Sequence, residues 1–306
     1  MLYNIGGLWL YFEGNNPYFV ERCKVFQKDP AEKKPEDCDI RVSMKLSRAL
    51  RKPSGALLDG IKDAALLHKK PPLEGYYLYS SLLTLENEKL KRNGIPSVLD
   101  ANPDWSNIII KYIPDDSTKY YNPDGSSVNW NEFSSFLSAG IAFRYMLIKK
   151  GGLQIHSSSL EYKGKGLIFS APSGTGKSTH TGLWKELYKD DVIILNDDRP
   201  AIRYIDGAPM LCGTPWSGSS DSFANKIVPL NCIVMLEQAP VNSIEKLTGQ
   251  KILQMLMPRC FLPYFDQALM NDSMDTLEKL IKDVSVYLLK CRPDYEAVEL
   301  VRQCLS

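Results

Sequence analysis

Among the seven cysteines of this 306-residue chain (Cys23, Cys38, Cys212, Cys232, Cys260, Cys291 and Cys304) there is no Cys-x-x-Cys pair. That spacing argues against a zinc site or a secreted disulfide framework, and it fits reduced thiols in a cytosol. A long hydrophobic run is missing too: no uninterrupted apolar stretch of membrane-spanning length occurs. The segment Met1 to Leu10 has no basic flank leading into an apolar stretch, so neither export nor membrane anchoring is expected and a cytoplasmic location follows. Charge of one sign is also lacking. The 37 Lys and Arg residues against 36 Asp and Glu give a net charge of +1, with both signs scattered. Nucleic acid as the main partner would demand a concentrated basic surface, so no nucleic-acid partner is expected. The short basic stretches at Lys33-Lys34 and Lys69-Lys70 read as solvated loops. No internal repeat or low-complexity tract is evident.

What is present is the composition of a folded globular protein. The hydrophobic fraction of 44% and charged fraction of 24% leave room for a substantial core and exclude a disordered or fibrous chain. The length suits one large domain or two ordinary ones. The sequence predicts a smaller mixed α+β N-terminal domain over 1–128 and a second, α/β domain over 129–306. In the first, Leu8 to Phe12, Tyr76 to Leu83 and Ile108 to Ile113 read as strands from their aromatic and β-branched content, and Val42 to Leu50 reads as a helix. The turn-rich stretches Asp115 to Lys119 and Asn122 to Ser127 mark the boundary.

The second half opens on a helix, Asn131 to Ile148, with a broad apolar face that includes Phe133, Phe136, Leu137, Ile141 and Phe143, and Gly151-Gly152 stop it. Two strands follow, Leu153 to Tyr162 and Gly166 to Ser170, and then Asp191 to Leu195. Asp206-Gly207 between Ala201 to Ile205 and Ala208 to Leu211 is a two-residue hairpin signal. Leu230 to Leu236 reads as a buried strand, and Asp275 to Leu289 and Asp294 to Leu305 read as helices separated by Pro293, with Asp294 as N-cap.

The strand Gly166 to Ser170 runs into Ala171 to Thr179, whose order Ala-Pro-Ser-Gly-Thr-Gly-Lys-Ser-Thr carries the chemistry. A phosphate-binding loop needs a Gly-rich turn between a strand and a helix, so that backbone N–H groups wrap a polyphosphate. Gly174 and Gly176 supply the turn, Lys177 reaches the β and γ phosphates, and Ser178 offers its hydroxyl to Mg²⁺. The helix starting near Lys177 aims its positive end at the anion. Ser173, Gly174, Thr175, Gly176, Lys177, Ser178 and Thr179 are therefore the expected nucleotide-binding residues. The first position of the motif is Ala171 rather than Gly, so the loop must enter through a conformation open to an ordinary residue.

Asn196-Asp197-Asp198 begins 19 residues after Lys177, at the end of the strand Val192 to Leu195. In an open α/β sheet the ends of neighbouring strands share one crevice, which puts these carboxylates beside the phosphates. On an extended segment adjacent side chains point opposite ways, so the pair is expected to divide its work between metal and acceptor hydroxyl.

From His156 onward, with Ser170 to Thr179 and Asn196 to Asp198, the chain resembles the catalytic domain of HPr kinase/phosphorylase, itself similar to the nucleotide-binding part of ATP-dependent phosphoenolpyruvate carboxykinase. The resemblance covers roughly half the chain, from about Gly151 to the C-terminus. It implies a P-loop-containing HPr kinase/carboxykinase-like C-terminal domain, ATP and Mg²⁺ as cofactors, and a protein or peptide acceptor. Carried over residue by residue, it makes Asp197 the general base, Lys177 the group that stabilises the transferring phosphoryl, His156 the histidine beside the catalytic acid, and Ser178 and Asp198 the metal-side pair. By itself His156 would read as a structural histidine. Members of the family are often oligomeric, so a homo-oligomer is an expectation carried by the resemblance alone. The family's Arg-containing Gly-rich segment has no counterpart at Ser222 to Leu230, which puts phosphorylase activity in doubt. Cys212 to Gly218 instead resembles a Gly-Thr-Pro-Trp-Ser-Gly element of HPr-kinase-like proteins, in which Trp216 either closes over a ligand or packs the loop. Arg259 reads as a surface arginine, with a reach to the γ phosphate as the alternative.

The leading expectation is an ATP- and Mg²⁺-dependent phosphotransferase acting on a serine-type hydroxyl of a peptide or small protein. The alternatives are a small-metabolite kinase of carboxykinase-like type and a nucleotide-dependent binding module without catalysis.

Overall fold

The computed structural model describes the chain except residues 62–63, 81–82, 87–88, 93–94, 115–118, 122–126, 219, 221 and 306. Most of the turn-rich stretches around 115–127 lie outside the described residues. The chain forms two compact units, Met1–Asn4 with Leu8–Met146, and Ile5–Gly7 with Leu147–Ser306. It is a mixed α/β structure with two large sheets.

The first unit is built on a nine-stranded sheet in the order 27–28, 2–5, 8–14, 40–46, 107–112, 97–101, 76–80, 64–68, 56–61. One face packs on two helices, Pro17–Cys23 and Trp130–Lys149. Phe12 stacks on Phe19 with centroids 4.4 Å apart, Phe19 meets Phe136 edge-on at 6.1 Å, and Trp105 meets Tyr145 at 4.5 Å. The segment expected as a helix over Val42 to Leu50 is instead the strand Ile40–Leu46 followed by irregular chain. Its period is two: Ile40, Val42 and Met44 are buried, while Arg41, Ser43 and Lys45 face the other way. Pairing with strands on both sides, 8–14 and 107–112, outweighs the local helix preference of its Met, Leu and Lys residues.

The second unit is also a nine-stranded sheet, with the backbone order 152–154, 201–205, 208–212, 227–238, 165–170, 157–162, 192–196. The strand Ser285–Cys291 pairs parallel with the far half of Ile227–Gln238, and Ser243–Lys246 extends that edge. At the centre lies Lys165–Ser170, parallel to Ile227–Gln238 and antiparallel to Ser157–Tyr162. Leu167, Ile168 and Phe169 in it are fully buried. A core of Leu160, Leu167, Phe169, Trp184, Val234, Leu289 and Val298 joins this strand to the helices Lys177–Tyr188 and Tyr295–Gln303.

Several expectations meet the structure directly. The hairpin at Asp206-Gly207 has positive φ at both residues, 50° and 81°, as a type I′ turn requires. Asp294 caps the last helix by accepting from the Ala297 N–H at 3.1 Å. The helix expected over Asp275 to Leu289 differs. It runs from Gln267 to Asp283, capped by Asp266, which accepts from the Leu269 N–H at 3.0 Å. The chain then becomes the strand Ser285–Cys291, because Val286, Leu288 and Leu289 are buried in the sheet against Ile233 to Leu236. In the described residues, no helix is long and apolar enough to cross a membrane, and all seven cysteines are free thiols.

Candidate functional site

The central strand delivers the Gly-rich loop by burying everything before it. Ser170, the last strand residue, is fully buried and donates its hydroxyl to the His156 carbonyl at 2.8 Å. The loop then turns through a Thr175 N–H to Pro172 carbonyl contact of 3.3 Å, and Gly174 and Gly176 take φ of 78° and 107°. A Cβ at either glycine would meet nothing within 4 Å. The requirement for glycine is therefore conformational, since space is open but an L side chain is strained at these angles. Ala171 enters without a positive φ, which is how the departure from the usual first glycine is accommodated.

The helix Lys177–Tyr188 begins at Gly176, and no side chain caps its N-terminus. The first N–H groups of a helix have no partners inside it, so an uncapped start leaves them to water or to an anion. The helix is pinned to the sheet by the Ser158 and Thr181 hydroxyls, 2.9 Å apart, and by the fully buried Trp184. His180 accepts the Trp184 indole N–H at 3.2 Å, and burial pushes its pKa down to about 4, so the imidazole is neutral.

Ser173, Gly174, Gly176, Lys177, Ser178 and Thr179 line one cleft of about 460 Å³ together with His156, Asp197 and Asp198. Thr175 instead lines an adjoining cavity. Lys177 is 8% exposed, with its ammonium 3.3 Å from the Ala171 carbonyl. Burial lowers its pKa, and the charges of Asp198 and then Asp197 oppose that shift. His156 sits in the break between the strands Gly152–Gln154 and Ser157–Tyr162. Its Nε2 lies 3.4 Å from Asp198 Oδ1, while the other Asp198 oxygen forms an ion pair with Arg199 at 3.0 Å. The His156 pKa is lowered by burial first and by the Lys177 charge second, against the pull of Asp198. The two acids thus differ: both oxygens of Asp198 have cationic or imidazole neighbours, whereas Asp197 Oδ1 is buried without a hydrogen-bond partner.

Both acids line the same cleft, although adjacent side chains on an extended strand would point apart. The reason is a bend. Asn196 ends the strand Val192–Asn196, and its Oδ1 accepts from the Asp198 N–H at 2.9 Å and the Arg199 N–H at 2.6 Å. This local side-chain turn takes the pair out of the extended conformation. The Asn196 amide meanwhile donates to Thr214 O at 2.8 Å, Thr214 Oγ1 at 3.0 Å and Trp216 O at 3.2 Å. One fully buried side chain therefore ties the acidic turn to the Cys212 to Gly218 loop.

That loop reaches the cleft through Ser217 and Gly218 rather than Trp216, the residue considered from sequence, and Ser220 just beyond it lines the cleft as well. Gly218 has φ 67°, and a Cβ there would come within 2.9 Å of the Asp198 Cβ, so the chain can approach the acid this closely only as glycine. Trp216 is 2% exposed and does not line the cleft, which fits a packing role for its ring. Arg259 does not line it either, but its carbonyl accepts from the His156 N–H at 2.8 Å and its charge lowers the pKa of both His156 and Lys177.

On the other side of Gly174 and Gly176 opens a second cavity of about 620 Å³, walled by Leu236, Gln238, Pro240, Cys291, Arg292 and Pro293. These residues stand at the adjacent ends of two parallel strands, where Gln238 pairs with Cys291. Ends of parallel strands are where open α/β sheets place ligands. The second of these strands, Ser285–Cys291, overlaps the helix expected over Asp275 to Leu289, so the sequence reading did not find this cavity.

Neither the protein-family models nor the curated proteins contain a match to this chain. Among solved structures, the HPr(Ser) kinase/phosphatase from Coxiella burnetii is similar over 49% of this chain and 89% of its own, at 11% identity and a TM-score of 0.30. That is a distant structural relationship.

Proposed function

We propose that the second unit is an ATP- and Mg²⁺-dependent phosphotransferase acting on a hydroxyl group, with a peptide or small-protein acceptor. The observation that carries this reading is a single cleft in which an uncapped helix start and Lys177 face a carboxylate pair. The open N–H groups and the Lys177 ammonium suit a polyphosphate. The adjoining, largely apolar cavity beyond Gly174 and Gly176 has the character of a nucleoside site.

Mg²⁺ commonly asks a protein for one or two oxygen ligands beside phosphate oxygens and waters. The Ser178 hydroxyl and the Asp198 carboxylate, both lining the cleft, suit that demand, and the Asp197 oxygen without a hydrogen-bond partner adds an acceptor beside them. When bound, the ion would supply neutralisation of phosphate charge.

Asp197 is the residue we assign as general base. It lines the cleft and its Oδ1 has no hydrogen-bond partner, whereas the Asp198 oxygens have His156 and Arg199 beside them. Lys177 and the loop amides would hold the charge that spreads over the transferring phosphoryl oxygens. His156, neutral near pH 7 because its pKa is lowered, orients Asp198. A small polyanionic metabolite would call for several cationic side chains on the acceptor side, and Lys177 is the sole Lys or Arg lining this cleft among the described residues. That favours a hydroxyl on a peptide.

Two measurements test the reading in sequence. Titration calorimetry of the protein with ATP, with and without Mg²⁺, should show magnesium-dependent binding that is lost in Lys177→Ala. Incubation with γ-labelled ATP and a cell extract, followed by mass spectrometry, should then show label on a serine-type hydroxyl. An absence of any nucleotide binding overturns the proposal; binding without transfer favours a nucleotide-dependent binding module.

A further inference from the structure

One face of the first unit's sheet is covered by helices, and the opposite face carries a row of cations. In the registered strands Lys45 stands directly beside Lys111, Lys111 beside Val98, and Val98 beside Tyr79. Lys52 lies over the Tyr79 ring at 5.4 Å, and Arg51 from the same segment lines a groove of about 290 Å³ with Pro53, Tyr77, Val98, Asp100 and Lys111. Lys45, Arg51, Lys52 and Lys111 are all exposed. Like charges on adjacent strands repel, and sheets usually offset them with a carboxylate nearby. Two carboxylates share this face: Asp100, paired through one oxygen with Lys69 at 2.6 Å, and the exposed Glu13, which stands beside Ser43. No described carboxylate pairs with Lys45, Lys111 or Arg51.

We propose that this row is a docking strip for an acidic peptide segment of a protein partner. Charge complementarity selects the chemistry, and extent selects the form of the ligand. The row crosses four strands, about 14 Å at the usual spacing of about 4.8 Å, which matches about four residues of extended chain. A single small anion would meet only part of it. The strip also mixes cations with Val98, Tyr77 and the 38%-exposed Ile109, a combination that accepts carboxylates and apolar side chains together. The balanced charge of the whole chain gives no broad basic field for a nucleic acid to follow. The inference is independent of the nucleotide reading, since every residue belongs to the first unit.

The test is fluorescence anisotropy of a labelled hexaglutamate peptide against the full chain at low ionic strength, without nucleotide. Hexalysine, oligothymidylate of matched charge and inorganic phosphate serve as comparisons. Hexaglutamate should bind and be displaced by salt. The Lys45→Gln/Lys111→Gln double variant should bind about tenfold more weakly, the scale of two lost exposed ion pairs, while Lys45→Arg/Lys111→Arg keeps the affinity. Arg51→Gln, in irregular chain, gives a second loss that does not depend on altering a strand. Undiminished binding in the glutamine variants, no binding by the wild type, or tighter binding of oligothymidylate would each overturn the proposal. Magnesium-nucleotide titration of the same variants should be unchanged, so failure of the strip and failure of the nucleotide site give separate results.

Discussion

Replacing Asn196 by Ala should cost more than any other single polar change near the cleft. The side chain is fully buried and links two backbone segments: it accepts from the Asp198 and Arg199 N–H groups and donates to Thr214 O, Thr214 Oγ1 and Trp216 O. Alanine would leave two backbone N–H groups and two backbone carbonyls without this partner in the interior. An orphaned buried polar group costs about 1–3 kcal/mol, and water entering the small gap would recover part of that. A net loss of about 4 kcal/mol is expected, a large share of the roughly 5–15 kcal/mol that holds an ordinary domain together. For a unit of this size that corresponds to a fall in midpoint of about 8–16 °C.

Differential scanning calorimetry of wild type and Asn196→Ala measures it, and Asn196→Asp separates the two halves of the link. Aspartate keeps the acceptor that bends the acidic turn but sets a carboxylate against the Thr214 and Trp216 carbonyls. Its burial would raise its pKa, so the variant should regain stability as pH falls and the protonated acid becomes a donor. A midpoint for Asn196→Ala within about 2 °C of wild type would show that the link between turn and loop carries little energy.

Asp197→Asn should abolish phosphoryl transfer while leaving magnesium-ATP affinity within several-fold, as read by single-turnover kinetics beside calorimetry; unchanged turnover would remove the proposed base. Gly176→Ala should destabilise the loop by about 1–2 kcal/mol through its positive φ of 107° even though no atom lies in the way, and it should weaken nucleotide binding. His180 should make the second unit acid-sensitive. Its pKa falls from 6.5 to about 4 on folding, so the unfolded chain takes up the proton first, and stability present above pH 6.5 is lost as pH falls toward 4. Between pH 7 and 5 the loss is about 2 kcal/mol, and urea titrations of His180→Phe should lack that part of the decline. Equal pH slopes for the two proteins would contradict the buried neutral imidazole.

The strand–loop–helix around Lys177 was legible because every cue in it is local: a run of buried β residues, two glycines that need positive φ, and a helix that starts at once. The same holds for the Asp206-Gly207 hairpin and the Asp294 cap. The misread elements have long-range causes. Ile40–Leu46 and Ser285–Cys291 each lie between strands distant in sequence, and neither neighbour is visible in a local window. The second error also hid the apolar cavity, because Cys291, Arg292 and Pro293 acquire a position at a strand end only when the preceding residues are a strand. The cation row stayed hidden for a related reason: Lys45 and Lys111 lie far apart along the chain and meet only through register, and the irregular segment carrying Arg51 and Lys52 folds over the same face.

The acidic pair shows how one residue can change what its neighbours do. Had Val192–Asn196 continued as a strand, alternation would have sent one carboxylate to each face and left only one at the phosphate loop. Asn196 ends it with an amide that serves as acceptor to the following turn and donor to the Cys212 to Gly218 loop. The bend brings both acids to one cleft, and the loop it anchors brings Gly218 against Asp198. With Arg199 and His156 also at Asp198, that carboxylate is fixed and partly neutralised. Asp197 has no such partners on its buried oxygen, so the two chemically identical side chains differ in what remains for a ligand to satisfy. An unmatched buried acceptor is costly by itself. Beside Lys177 and an uncapped helix start, such an acceptor suits the proposed phosphotransferase reading, in which an acceptor hydroxyl would be the donor that matches it.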